Sequence, residues 1–356
     1  MLTTNFFNAI ITVLRFGERV MKKLTLFITT LLLSLVLVFA FGCNDQPIVC
    51  KDGEHQAQLT LELDSEDLNV YNKGVCEICG SEVKQFVGYG AVSSNTASKA
   101  INEYASSGDV VYLTTGTYSS VINVYTDNDV TVTAFPGQTI KAKGFKIQTQ
   151  ASITIDNLNF EVSYDSGGIN FAGNNKNVTI KNCNFKGNAY ITNETHAHEV
   201  KNLLVENCTF TNYKNISTNN SNIACGIYLT TPNDLTVRNC TFQTQDGARG
   251  AIYGGEGGTC KGNIIVEGCT FINSGTRVIR LYDTEQDCLL TFKDNVVYEH
   301  DGYITVANNA SSALGNHGRA IVYINSWETI PSSTEVKTVV SGFTVVYSHA
   351  EQKTID

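Results

Sequence analysis

Cys50, His55, Cys76 and Cys79 form two close pairs, Cys-x4-His and Cys-x2-Cys. Thiolates and an imidazole at this spacing suit a tetrahedral Zn²⁺. Four filled positions leave no open place for a catalytic water, so such a metal would be structural. In an oxidising compartment the same residues have another use, a disulfide from Cys50 to Cys76 or Cys79. A second set lies further along: Tyr190, Tyr228 and Tyr253 with Arg249, Arg277 and Arg280. Sugar rings pack on aromatic faces, and a guanidinium pairs bidentately with carboxylate or sulfate. Together they could bind an anionic glycan, provided that the fold brings them to one surface. His196 and His198 could ligate a metal, although histidines on a polar loop are more often simply solvated.

The elements that would do this positioning are visible as a repeat. Six copies of one phrase occur: Ile153–Phe160, Val178–Phe185, Leu203–Phe210, Leu235–Phe242, Ile264–Phe271 and Leu290–Val297, the central ones reading apolar-x-apolar-charged-Asn/Gly-Cys-x-Phe. Their starts lie 25, 25, 32, 29 and 26 residues apart. Units this short cannot hide an apolar face alone and must stack on their neighbours. Alternation at period two marks strands, so the expected fold is all-β: a single-stranded parallel solenoid of about nine rungs. In-register stacking would place Cys183, Cys208, Cys240 and Cys269 in one interior column as packed thiols. It would place Phe160, Phe185, Phe210, Phe242 and Phe271 in another, and Asn157, Asn182, Asn207 and Asn239 in a third at a turn. Cys260 and Cys288, in the connections, are candidates for a bridge.

After each Phe a second alternation follows, in Gly168–Phe171, Asn188–Ile191, Gly226–Leu229, Gly250–Gly254 and Arg277–Leu281. It predicts Asn170, Tyr190, Tyr228, Tyr253 and Arg280 outward in one column. The alternative reading is that outward Tyr merely satisfies strand propensity and cross-strand packing. Connections with room for binding loops flank this face.

Ahead of the repeats, Thr96–Ser107 has helical apolar spacing and leads into GDVVYLTTGTY at Gly108–Tyr118. This start, with Val130–Phe160, resembles right-handed parallel β-helices of the pectin-lyase-like superfamily over roughly residues 92–345. There a short helix plugs the open first rung. The resemblance implies the handedness and an association with polysaccharides, and it does not select among lyases, hydrolases, esterases, adhesins and spikes. A uronate-directed lyase of this kind would need a base, for which Arg277 or Arg280 is the right type. It would also need Ca²⁺ held by acids such as Asp283, Glu285 and Asp287, with Arg249 and Glu256 as neighbours. A hydrolase would need two carboxylates about 5–10 Å apart, and the sequence shows no clustered pair on this face. Pectate lyase and polygalacturonase motifs are absent.

The N-terminus resembles a bacterial lipoprotein signal. Lys22 and Lys23 precede an apolar run, Leu24–Phe41, which ends at Gly42-Cys43. A signal of this design starts at Met21, and lipidation falls on Cys43; Ala40 and Phe41 depart from the preferred lipobox residues. An uncleaved anchor is the alternative, since about 18 apolar residues is marginally enough to span a bilayer. The expected organisation is residues 1–42 signal, 43–90 tether and Cys-containing segment, and 91–356 β-helix. The tether segment resembles small zinc-ribbon-like modules of gut-type bacterial surface proteins. The chain carries a net charge of −9. Residues 1–42 contribute +3 (Arg15, Arg19, Lys22 and Lys23 against Glu18), which leaves −12 for the remainder. So acidic an exported chain, without a basic cluster, is a poor nucleic-acid binder. The expected function is a membrane-tethered protein, at the cell surface or in the periplasm, that binds extracellular polysaccharide and in one variant degrades it. A lyase and a non-enzymatic adhesin or structural protein are the alternatives.

Overall fold

The computed structural model describes residues 57–193, 198–213, 225–244, 250–272, 277–281, 284–285, 288–298, 303–306, 319–322, 343–346 and 352–355. The segment expected to be a signal, Cys43, Cys50, His55, His196 and Arg249 lie outside the described residues. The chain divides into two compact units, residues 1–62 with 71–86, and residues 63–70 with 87–356.

In the first unit Thr60 Oγ1 donates to the Lys73 carbonyl at 3.3 Å. The Lys84 ammonium stands 3.8 Å above the Tyr71 ring, which meets Phe86 edge-on at 6.0 Å. Cys76–Gly80 is a tight turn: the Gly80 N–H donates to the Cys76 carbonyl and the Cys76 N–H to Ser81, both at 2.8 Å. Gly80 takes φ of 69°, which a side chain would resist.

The second unit is the expected solenoid, capped near its N-terminal end by a short helix. Ser93 and Thr96 form a reciprocal capping box that starts the α-helix Ser94–Lys99. The helix runs on as a π-helical turn, Ala100–Tyr104, and Ala97, Ala100 and Ile101 are buried in the core. Beyond it, nine successive parallel pairings join ten strands, from Glu82–Ser93 to Arg319–Val322, into one sheet among the described residues. A second parallel sheet runs alongside through Val110–Val124, Lys141–Ile147, Asn159–Phe171, Asn184–Asn193 and the strands that follow.

Ile153, Val178, Leu203, Leu235, Ile264 and Leu290 pair in register, and all are buried. Each such side chain contributes about 1.5–3 kcal/mol by leaving water. One position after the second apolar residue of each phrase, charge alternates rung by rung: Asp156, Lys181, Glu206, Arg238, Glu267, Lys293. Arg238 reaches both neighbours, Glu267 at 2.6 Å and Glu206 at 3.7 Å. Opposite charges directly across a pairing stabilise a sheet, and like charges there oppose it.

The Phe column stacks from Phe160 to Phe271 with ring centroids 4.7 to 5.1 Å apart, close to the strand spacing of about 4.8 Å. Val297 occupies the sixth place. Phe292, from the other sheet, supplies the missing ring at 5.8 Å. At the turn, Asn157, Asn182, Asn207 and Asn239 adopt left-handed φ of 52° to 54°, a conformation Asn tolerates best after Gly. Their amides bond along the axis: Asn182 Nδ2 donates to Asp156 at 2.8 Å and Asn207 Nδ2 to Asn182 at 3.4 Å.

The thiol column is buried throughout. Two of the sulfurs both accept and donate between rungs. Cys240 Sγ accepts the Cys208 N–H at 3.4 Å and donates to the Val205 carbonyl at 3.6 Å. Cys269 repeats the arrangement toward Cys240 and Val237. Neighbouring thiols and burial push the Cys208 and Cys269 ionisations up, so these groups stay protonated. Cys260 and Cys288 are also buried, and no disulfide joins them.

Candidate functional site

The face expected to carry function lies on the second sheet. Inward isoleucines set its register: Ile169, Ile191, Ile227, Ile252 and Ile279 pair in turn. The residues that follow them pair in one column, which reads Asn170, Thr192, Tyr228, Tyr253, Arg280 and then Thr305. Tyr190 does not belong to it. A register shift between Gly187 and Ala189 sets Tyr190 opposite Gly168, two places before the column. Gly168 takes φ of +94°, and a Cβ there would come within 2.3 Å of the Tyr190 carbonyl oxygen. The Tyr190 backbone is thus closely approached, its side chain is half-buried, and Thr192 stands where a third tyrosine was expected.

Tyr253 departs from expectation in a second way. It is 1 % exposed, so it cannot offer its ring as a platform. The turn after its strand, Gly255–Gly258, folds back on the preceding rung. The Gly255 N–H donates to Leu229 at 3.0 Å, and a Cβ at Gly258 would lie 2.3 Å from the Thr230 carbonyl oxygen. This return carries Glu256 to Tyr228, whose hydroxyl donates to its carboxylate at 3.3 Å. Tyr228 remains half-buried and accessible.

A buried polar knot adjoins this position. Asn193 Nδ2 donates to Thr230 Oγ1 at 2.7 Å and to the His198 carbonyl at 3.0 Å, while Asn193 Oδ1 accepts the Thr230 N–H at 2.8 Å. Asn193 thus ties the residue after Leu229 and His198 to one another. Two buried polar atoms, Asn170 Oδ1 and His198 Nδ1, have no hydrogen-bond partner among the described residues. Leaving such an atom unmet costs about 1–3 kcal/mol. Thr192, Asn193 and Thr230 escaped the sequence reading because their part is set by contacts between rungs 37 residues apart.

Arg277 and Arg280 lie on the strand Arg277–Leu281, in register with Tyr303 and Thr305 respectively, and Arg280 with Tyr253. Of the acids proposed for Ca²⁺, the described residues include Glu285 alone. Asp283 and Asp287 lie outside the described residues. Glu285 shares Lys261 with Glu199, at 3.3 Å and 3.4 Å. Bonding to Glu285 and Glu199 raises the Lys261 ionisation, which keeps this cation between the two acids. Among the described residues no group of three or more His, Cys, Asp or Glu is placed to hold a metal ion. Of the four residues expected to ligate a metal, the described residues include Cys76, which is buried, and Cys79, which is exposed.

The arrangement offers the half-buried Tyr228 ring, a hydroxyl–carboxylate pair, and amide and hydroxyl groups on a rigid sheet. That set can orient a polyhydroxylated chain. The described carboxylates of the region, Glu256, Glu199 and Glu285, are each engaged by a neighbour, and an acid–base pair for hydrolysis is not assembled from them.

The family model described as "Right handed beta helix region" matches residues 120–326, more than half of the chain. No curated protein and no solved structure matches it.

Proposed function

Because the chain belongs to the right-handed β-helix family, we propose that it is a glycan-binding surface protein whose second-sheet face holds extracellular polysaccharide around Tyr228. The observation that carries this reading is Tyr228 itself. Its ring is accessible, its hydroxyl is oriented by Glu256 at 3.3 Å, and Thr192 and Tyr253 flank it one rung away on either side. Fixed polar groups beside one aromatic plane are what a saccharide site requires. Arg280, one rung beyond Tyr253, selects for carboxylate or sulfate. The cap helix followed by the strand that contains Val110–Leu113 supports placement among pectin-lyase-like β-helices. The run from Lys22 to Cys43 supports export and a lipid tether, which holds a protein at a membrane without a spanning helix. The tight Cys76–Gly80 turn supports a structural zinc shared with Cys50 and His55.

The test is retention on a panel of immobilised uronate, sulfated and neutral polysaccharides, with product formation followed in parallel, with and without Ca²⁺. Binding that is lost in Tyr228→Ala carries the reading. Unsaturated uronide products would instead make the protein a lyase and direct attention to Arg277 and Arg280. No retention on any polymer would leave a structural surface protein.

A further inference from the structure

We propose that the capped end of the solenoid carries a second, separate binding site, for a neutral saccharide. A groove of about 650 Å³ runs between the helix Ser94–Lys99 with its π-helical turn and the strand Val110–Val124. Sites for small ligands typically span about 300–1,000 Å³.

The walls are held rigidly. Ser94 Oγ donates to the Ser120 carbonyl at 2.7 Å, and Ser98 Oγ accepts the Asn123 N–H at 2.9 Å. Asn102 ties the π-helical turn to the same strand, with Nδ2 donating to the Asn123 carbonyl and Oδ1 accepting the Tyr125 N–H, both at 2.8 Å. Helix side chains thus satisfy the backbone at the edge of the strand and fix where the strand's own side chains stand.

The remaining lining groups are not spent on that framework. The side chains of Asn95, Ser119, Asn123 and Tyr125 line the groove and make no hydrogen bond among the described residues. Lys99 and Glu103, one helical turn apart, contribute one charge of each sign. Apolar surface is concentrated here as well. Of the six large apolar side chains exposed among the described residues, Val121 and Tyr125 line this groove, and Tyr104 stands on the other side of the same helix. Tyr125 is 60 % exposed, with its ring in solvent.

One ring for stacking, short amides and hydroxyls able to donate and accept, and balanced charge match an uncharged sugar. A polyanion would need a cationic surface, and a lipid or apolar peptide would need a larger dry one. This site does not depend on the Tyr228 face.

The experiment is calorimetric titration of the full-length protein with xylohexaose, mannohexaose, cellohexaose and maltohexaose. The expected result is saturable binding of at least one, weakened about tenfold or more by Tyr125→Ala, a loss of about 1.4 kcal/mol, and unchanged in Tyr228→Ala. If Tyr125→Ala also lowers the melting temperature, Ser119→Tyr decides, because it fills the groove from an exposed position. Blocking by Ser119→Tyr upholds the proposal. Binding of none of the four, or binding that survives Tyr125→Ala and Ser119→Tyr but is lost in Tyr228→Ala, overturns it.

Discussion

Asn295 performs for Cys269 the bonding that Cys240 and Cys269 each perform for the rung before them. Its Oδ1 accepts the Cys269 N–H at 2.8 Å, and its Nδ2 donates to the Val266 carbonyl at 2.9 Å. These are the places that Cys269 Sγ fills toward Cys240 and Val237. The column is therefore defined by a side chain that both accepts and donates between rungs, and a buried carboxamide satisfies that rule as a thiol does.

The equivalence predicts a specific rescue. Asn295→Ala leaves two buried backbone groups without partners and should cost about 2–6 kcal/mol, at about 1–3 kcal/mol for each group. Asn295→Cys should recover most of that loss and Asn295→Leu little, although Leu fills the space. Urea unfolding of the three variants measures the order. Leu and Cys behaving alike would show that volume alone matters at this position.

The alternating charge column makes a second test. Arg238→Glu would set three acids in a row with Glu206 and Glu267. Arg238 is 42 % exposed, so the penalty is screened and should be about 1 kcal/mol at low salt. Added salt should reduce it, and Arg238→Gln should lose less. A salt-independent loss would point to lost packing of the guanidinium stem instead.

Glu161 bonds to Lys186 at 2.8 Å and to Lys141 at 2.9 Å. Those two ammonium groups hold its carboxyl down from its ordinary 4.5 to about 2. With the folded value below the unfolded one, the stabilisation is present above about pH 4.5 and is lost as pH falls through about 2. Wild type should therefore exceed Glu161→Gln in stability at pH 6, and the two should converge near pH 2. A Glu161 carboxyl that titrates near 4.5 by NMR would contradict this.

What could be read from sequence follows from which contacts are local. Ile153, Val178 and Leu203 lie inward because period two fixes the face of a strand whatever surrounds it. The Phe stack follows from the same repeat. Tyr190 shows where this stops: one register shift at Gly187 and Ala189 gives its place to Thr192, and no pattern within the strand marks a shift of that kind. A second column of left-handed residues, Asn177, Asn202 and Asp234, stands just ahead of the repeated phrase, with Asn202 Nδ2 donating to Asn177 at 2.9 Å. It is equally regular, and each member lies one residue before the first apolar position of its phrase. The burial of Tyr253 depends on where the Gly255–Gly258 turn goes, and alternation does not encode that.

That last difference separates two tyrosines that look alike in sequence. Tyr253 is buried, so Tyr253→Ala should act on the fold, with a loss of about 3–5 kcal/mol typical of a large aromatic removed from a core. Tyr228 is accessible, so Tyr228→Ala should leave the melting temperature nearly unchanged and remove glycan retention. Tyr228→Phe keeps the stacking plane and deletes only the bond to Glu256, so it should weaken retention less than Ala does. Glu256→Gln can still accept from the Tyr228 hydroxyl and should resemble wild type for a neutral polymer. Paired melting and retention measurements on the four variants test the assignment. Loss of retention in Tyr253→Ala without loss of stability would restore Tyr253 to the binding surface and require the Gly255–Gly258 turn to open on binding.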